Sequence, residues 1–140
     1  ASGGGIYTSA AEAAAKVGGK LIGVDVDQSA NINTYGEGMC VTSAMKGLAE
    51  TVKHMLSEVV AGNFANYGGK IETLGLVNGD DPTANYVQLP METTQWGDGF
   101  TQDDYKALVK AMYDGEVTVS NDISAMPATT ITVNFAGNIK

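Results

Sequence analysis

The apolar run Leu21-Ile22-Gly23-Val24 breaks off into Asp25-Val26-Asp27-Gln28, and this feature narrows the possible folds more than any other in the chain. A run so short and so evenly apolar suits a strand buried on both faces, as in parallel sheets. The segment before it reads as a helix. Thr8 or Ser9 can cap a stretch that runs from Ala10 to Lys16, and Gly18 and Gly19 stop it. Glu12 and Lys16 stand four apart in the favourable order for a helix-surface ion pair. Helix, buried strand, then polar residues at the strand's carboxyl end is the grammar of a parallel α/β domain. We therefore expect an α/β fold, a three-layer Rossmann-like domain with a mainly parallel sheet.

Further along, a polar loop over 29–38 precedes the longest periodic segment. Val41, Met45, Leu48, Val52, Met55, Leu56, Val59 and Val60 fall at helical spacing, which predicts one amphipathic helix of about five turns ending near Gly62. The spans 71–77 and 86–89 read as a second buried strand and a shorter third. Thr101 with Asp104 three residues on has the form of a capping box. Tyr105, Leu108, Val109 and Met112 make the apolar face of the helix behind it, and Gly115 closes it. The span 129–135 alternates Ile131, Val133 and Phe135, as a half-buried strand does. With 140 residues, 44% of them hydrophobic, the chain has room for one compact domain over 1–140.

Charge excludes several functions. Asp and Glu number 16 against 8 basic residues, all of them lysine. A nucleic-acid binder needs clustered positive charge, which is missing, so no nucleic-acid partner is expected. The absence of arginine also removes the usual bidentate clamp for phosphate or carboxylate, which favours a neutral, hydroxyl-rich ligand. Cys40 is the only cysteine and His54 the only histidine, about four turns apart on the predicted helix. They form neither a nucleophile–base pair nor a zinc site. His54, with Glu50 and Glu58 at four-residue spacing, reads as part of a surface cluster. No cofactor and no catalytic residue is assigned. No apolar run reaches the length of a membrane span, and no charged-then-apolar leader opens the chain. The chain starts on a glycine loop of the kind that normally follows a strand. We therefore expect a piece of a larger lobe, with any export signal upstream.

Three features could carry chemistry. Gly3, Gly4 and Gly5 ahead of a helix can bring backbone amides against a ligand, aided by the helix dipole. A dinucleotide fingerprint is the rival reading, since Asp25 lies about twenty residues on, although Thr8 holds the place of the third glycine. A tight turn with no ligand is the plain alternative. Asp25 sits at the carboxyl end of a strand, where open parallel sheets bind ligands, and can accept hydroxyl hydrogen bonds from a sugar. Alternation puts Asp27 on the same side, but a metal pair would need further ligands, and the plain alternative is that both cap the next turn. Lys46, near the start of the predicted long helix, occupies a place the dipole disfavours for a cation; pairing with Glu50 is its plain alternative. Trp96 and Phe100 read as anchors of a glycine-containing turn.

Taken together, the glycine loop, the alanine-rich helix and Gly23-Val24-Asp25-Val26-Asp27-Gln28 resemble the basic membrane lipoprotein family, a branch of the type I periplasmic-binding fold. Val41-Thr42-Ser43-Ala44-Met45-Lys46 resembles that family's Leu-Thr-Ser-Ala-x-Lys. Gly68, Gly69 and Leu74 to Leu76 resemble its Gly-Gly-x-x-x-x-Leu-Gly-Leu, and Phe100, Thr101, Asp104 and Tyr105 its closing helix. The loop departs from the family's Gly-Gly-Thr-Gly, reading Gly-Gly-Gly-Ile-Tyr. The resemblance implies part of the carboxyl-side lobe of a two-lobed substrate-binding protein, a membrane-anchored, extracytoplasmic lipoprotein that delivers purine nucleosides to an ABC transporter permease. Asp25 and Lys46 would then hold the ribose hydroxyls, and Gly4 and Gly5 would contact the ligand through the backbone. The amino-side lobe with its base-stacking aromatics would lie outside this chain. An oxidoreductase fragment binding a dinucleotide, and a sensor domain of the same fold, are the alternatives.

Overall fold

The structure, a computed structural model, describes residues 3–126 and 128–133. Helix α1 (Tyr7–Lys16) leads into strand β1 (Leu21–Asp25), the short helix α2 (Ser29–Ile32) and strand β2 (Cys40–Lys46). Helix α3 (Leu48–Val60), strand β3 (Val87–Gln88) and helix α4 (Gln102–Tyr113) follow. The chain is a mixed α/β protein. Its described residues form one sheet in the order β1-β2-β3, with β1 and β2 parallel and β3 antiparallel to β2. The α/β expectation holds at that level, and the sheet is small.

The first βα units form as the apolar run predicts. Helix α1 starts slightly earlier than expected, at Tyr7, with Ile6 and no side-chain cap before it. Thr8 instead donates its hydroxyl to the Gly5 carbonyl at 3.3 Å. The helix ends at the expected glycines, with Gly18 in the left-handed region and Gly19 N–H bonded back to Ala14. Among the described residues, no ion pair joins Glu12 to Lys16. The core gathers where α1, β1, α2 and the start of β2 meet. Ala11, Leu21, Ile32, Met39 and Cys40 are buried together, with Tyr7, Ala14 and Tyr35 packed against them. Cys40 is therefore a core residue, its thiol bonded to the Thr42 carbonyl.

The largest correction falls on the predicted five-turn helix. Its first part is strand β2, and only Leu48–Val60 is helical. Helical spacing of Val41 and Met45 is overridden by pairing with β1, where Ile22 lies opposite Thr42 and Asp25 opposite Met45. Gly47 makes the break. Its N–H is taken by the Tyr86 carbonyl at 2.7 Å, and a Cβ there would run into the Asn85 carbonyl. Helix α3 buries none of its residues, and Leu48, Val52, Leu56 and Val59 are each more than half exposed.

Other expectations shift as well. The span 71–77 forms no strand; Ile71 is fully exposed, and a single bond from Tyr86 N–H to Gly75 O takes the place of a ladder. Asn85, wholly buried, takes the Val77 and Asn78 N–H groups on its side-chain oxygen, so the end of this segment is tied by that amide in addition to the one backbone bond. The predicted 86–89 strand shrinks to β3. Residues 129–133 form no strand, and Asn134 and Phe135 lie outside the described residues. The capping box of α4 is present: Thr101 Oγ1 accepts from Asp104 N–H, and Asp104 Oδ2 accepts from Thr101 N–H at 2.8 Å. Tyr105 and Val109 are the buried residues of that helix.

Candidate functional site

Because β1 and β2 are parallel neighbours, their carboxyl ends finish side by side. Asp25 is the last residue of β1 and Lys46 the last of β2. Lys46 Nζ meets Asp25 Oδ1 at 2.7 Å, with the side chains 65% and 29% exposed. Lys46 thus belongs to a strand end and not to a helix start, and its partner is Asp25 and not Glu50, which pairs with Lys53. Asp25 also has a φ of 72°, a left-handed conformation that few side chains other than Asn and Asp accept readily.

Asp27 does something else. Its Oδ1 accepts the Ser29 N–H at 2.9 Å and its Oδ2 the Thr93 hydroxyl at 2.7 Å. Burial opposes its charge, but these bonds outweigh burial and hold the carboxyl below the usual carboxylate range. It caps the turn after β1 and pins the 90s loop, so the plain alternative describes Asp27. Among the described residues, no group of three or more His, Cys, Asp or Glu is placed to hold a metal.

Gly4 and Gly5 form an exposed turn just ahead of α1. Gly3 needs to be glycine, with φ at 119°. Gly4 and Gly5 do not: neither is left-handed, and a Cβ added to either would meet nothing within 4 Å. The turn is fastened to the strand ends by Gln28, whose Nε2 donates to the Gly4 carbonyl at 3.1 Å. The fold therefore brings three of the expected elements to one end of the sheet: the glycine turn through Gln28, Asp25 directly, and Lys46 through its ion pair.

Two cavities open beside Lys46. One of about 260 Å³ is lined by Val26, Met45, Lys46, Gly47, Glu50 and Gln88. The other, about 430 Å³, lies between β2, β3 and α4 and is walled by Leu76, Val87, Leu89, Phe100 and Tyr105. Asp25, Gly4 and Gly5 line neither; the Asp25 carboxylate is partly buried, and the glycine turn is exposed. Trp96 and Phe100 pack in the loop before α4: Trp96 lies 6.4 Å from Phe100 and 5.6 Å from Tyr105, with its indole N–H on the Met91 carbonyl. His54 is half-buried edge-on to Tyr67 at 5.6 Å and Tyr86 at 6.4 Å, and Glu58 hydrogen-bonds Tyr67, so aromatic rings join the cluster its spacing implied.

The chain matches no protein-family profile, no curated protein and no solved structure. Two polar residues are buried beside the strand ends. Sequence reasoning missed both, Gln28 and Ser43, which are 4% and 0% exposed. Gln28 was visible only as a member of a motif. The one cue to its burial is Gly23, where a Cβ would stand 2.5 Å from Ser43 Oγ and 2.9 Å from Gln28 Cβ. Among the described residues no helix is long and apolar enough to cross a membrane.

Proposed function

We propose that this chain is a binding lobe, with no catalytic step of its own, that holds a neutral sugar-bearing ligand of the purine nucleoside class at the carboxyl ends of β1 and β2. The observation that carries the reading is the Asp25–Lys46 ion pair, set side by side on adjacent parallel strands and still reached by solvent, chiefly at Lys46. Adjacent hydroxyls of a ribose present a donor and an acceptor together. A carboxylate takes the hydroxyl proton and a neighbouring ammonium donates to the hydroxyl oxygen, both in charge-assisted bonds. Open parallel sheets bind ligands at this end. Gly4 and Gly5 add support, because the fold does not demand glycine at either, whereas a ligand approaching the backbone closely would.

The finer architecture belongs to the same proposal: a three-layer, Rossmann-like lobe of type I periplasmic-binding form, from a membrane-anchored, extracytoplasmic lipoprotein that serves an ABC importer. The motifs around Asp25 and Lys46 support it. A site that the chain encloses only in part also suits one lobe of a pair, since an enclosed ligand normally loses most of its own surface to the protein.

The test is an amide-resolved NMR titration of the 140-residue chain with inosine, 2′,3′-dideoxyinosine and NAD. Affinity on the order of millimolar is expected for inosine, given a half-open site. Its shifts should centre on Gly4, Gly5, Asp25 and Lys46, and the dideoxy compound should give none there. Equal responses to the two nucleosides, or no response, would sink the reading. Tight NAD binding without a nucleoside response would point to the dinucleotide alternative.

A further inference from the structure

Gln28 follows the strand end that carries Asp25, yet its side chain is almost completely buried, at 4% exposure. Its amide is used at both atoms. Oε1 accepts the N–H of Val24, the residue before Asp25, at 3.1 Å, and Nε2 donates to the Gly4 carbonyl at 3.1 Å. The backbone N–H of Gln28 donates in turn to the Ser43 hydroxyl on β2, also at 3.1 Å. One residue thereby joins the glycine turn, β1 and β2.

We infer that Gln28 is a positioning residue for the proposed ligand site, holding the glycine turn against the end of β1 and setting the direction of the Gly5 amide. A trans peptide is planar, with its C=O and N–H pointing opposite ways. When the Gly4 carbonyl is drawn to Gln28, the Gly5 N–H in the same peptide is turned away from it. Glutamine has both the acceptor for Val24 and the donor for Gly4 at this reach. Glutamate keeps the acceptor, but faces the Gly4 carbonyl with a second bare oxygen and so pushes the turn off.

The inference rests on the sugar-binding reading, and its test keeps the two apart. Gln28→Glu and Gln28→Met are made in the 140-residue chain, and the Gly4 and Gly5 amide signals are followed with and without inosine. At neutral pH, Gln28→Glu should displace both amides and weaken the inosine response roughly tenfold. Near pH 5 the buried glutamic acid, its pKa raised by burial, regains a proton to donate to Gly4, and most of the response should return. Lys20, Asp25, Asp27, Cys40 and Lys46 are titratable groups on or beside the adjoining strands, and the wild type measured at both pH values accounts for them. Gln28→Met fills similar volume with neither group and should stay weak at both.

A Glu or Met variant that responds like the wild type at neutral pH would overturn the inference, as would acid giving no recovery. If Gln28→Glu does not fold at neutral pH, the Met variant decides, since full inosine response there leaves the amide with no role. If the wild type itself ignores inosine, the sugar-binding reading fails. The acid-dependent return of the Gly4 and Gly5 signals in Gln28→Glu then still decides whether Gln28 sets the turn.

Discussion

Asp25 Oδ1 lies 2.7 Å from Lys46 Nζ, joining the last residues of two neighbouring parallel strands. The pair does little for the fold. Lys46 is about two-thirds exposed, and ion pairs in such settings contribute roughly 0–1 kcal/mol after desolvation and side-chain entropy. Asp25 in addition holds a left-handed backbone, which costs most residues about 1–2 kcal/mol. Asp accepts that conformation at less cost than most residues, so neither the pair nor the backbone at Asp25 adds much to stability, which leaves both free for the binding role proposed above.

Substitutions at Asp25 should separate backbone from charge. Asp25→Asn tolerates the left-handed conformation and should unfold within about 0.5 kcal/mol of the wild type in urea. Asp25→Ala should be less stable than Asp25→Gly by about 1 kcal/mol, because only the Cβ suffers there. Equal midpoints for Ala and Gly would show that φ at this position is not a constraint. Asn, despite its stability, should lose about 2 kcal/mol of inosine affinity, as removal of a charged partner does.

The glycines divide in the same way. Alanine at Gly4 or Gly5 meets open space and should leave stability unchanged or raise it by up to about 1 kcal/mol, through a less flexible unfolded chain. Both substitutions should still weaken the inosine response. Gly47→Ala should cost more than about 2 kcal/mol, because the new methyl collides with the Asn85 carbonyl and stands 2.9 Å from Tyr86 Cα. Thermal melts of the three variants, beside titrations of the first two, check both halves. A Gly4→Ala and Gly5→Ala pair that binds normally would remove the turn from the site.

Acid should unfold the protein partly through two capping carboxylates. For Asp27, burial works against the charge but the Ser29 N–H and Thr93 hydroxyl outweigh it. For Asp104, the hydroxyl and then the N–H of Thr101 depress the pKa. Both native values lie below the unfolded one, so their stabilisation is complete above the ordinary carboxylate range, near pH 4. It is lost as pH falls through the depressed native values. Urea midpoints measured from neutral pH downward should be flat and then drop, and the combined Asp27→Asn and Asp104→Asn variant should show a shallower drop. Thr101→Ala should cost about 1 kcal/mol at neutral pH, the usual worth of such a cap.

Local signals were read well in this chain and competing ones were not. The α1–β1 unit, the glycine stops and the Thr101–Asp104 box each depend on residues close in sequence, and each forms. Asp25 was placed at its strand end because the apolar run stops there. The stretch over 40–46 misled because Val41 and Met45 fit a helix as well as a strand, and only the partner strand β1 decides between them. The same error hid the basis of the site. Placed on a helix, Lys46 has Glu50 for a neighbour; placed on β2, it has Asp25. The 71–77 run failed for the opposite reason, since its composition suits a strand but the described residues offer it one backbone bond from Tyr86 and no ladder. Gln28 was illegible because burial of a polar side chain depends on partners far along the chain, here Gly4 and Ser43.

Lys46 offers the sharpest chemical test of what the strand ends hold. Its ammonium can donate to hydroxyl oxygens, and in the proposed site those belong to the ribose, so removing it should be felt by the sugar alone. Lys46→Met keeps much of the apolar stem that lines both neighbouring cavities and deletes the charge. It should weaken inosine and free ribose by a similar factor, roughly tenfold, while leaving any response to hypoxanthine unchanged. Stability should move by less than about 1 kcal/mol, because the partner Asp25 remains partly in water. Competition titrations with the three ligands measure this directly. Equal losses for inosine and hypoxanthine would place the base on Lys46, and no loss for ribose would remove the lysine from sugar recognition.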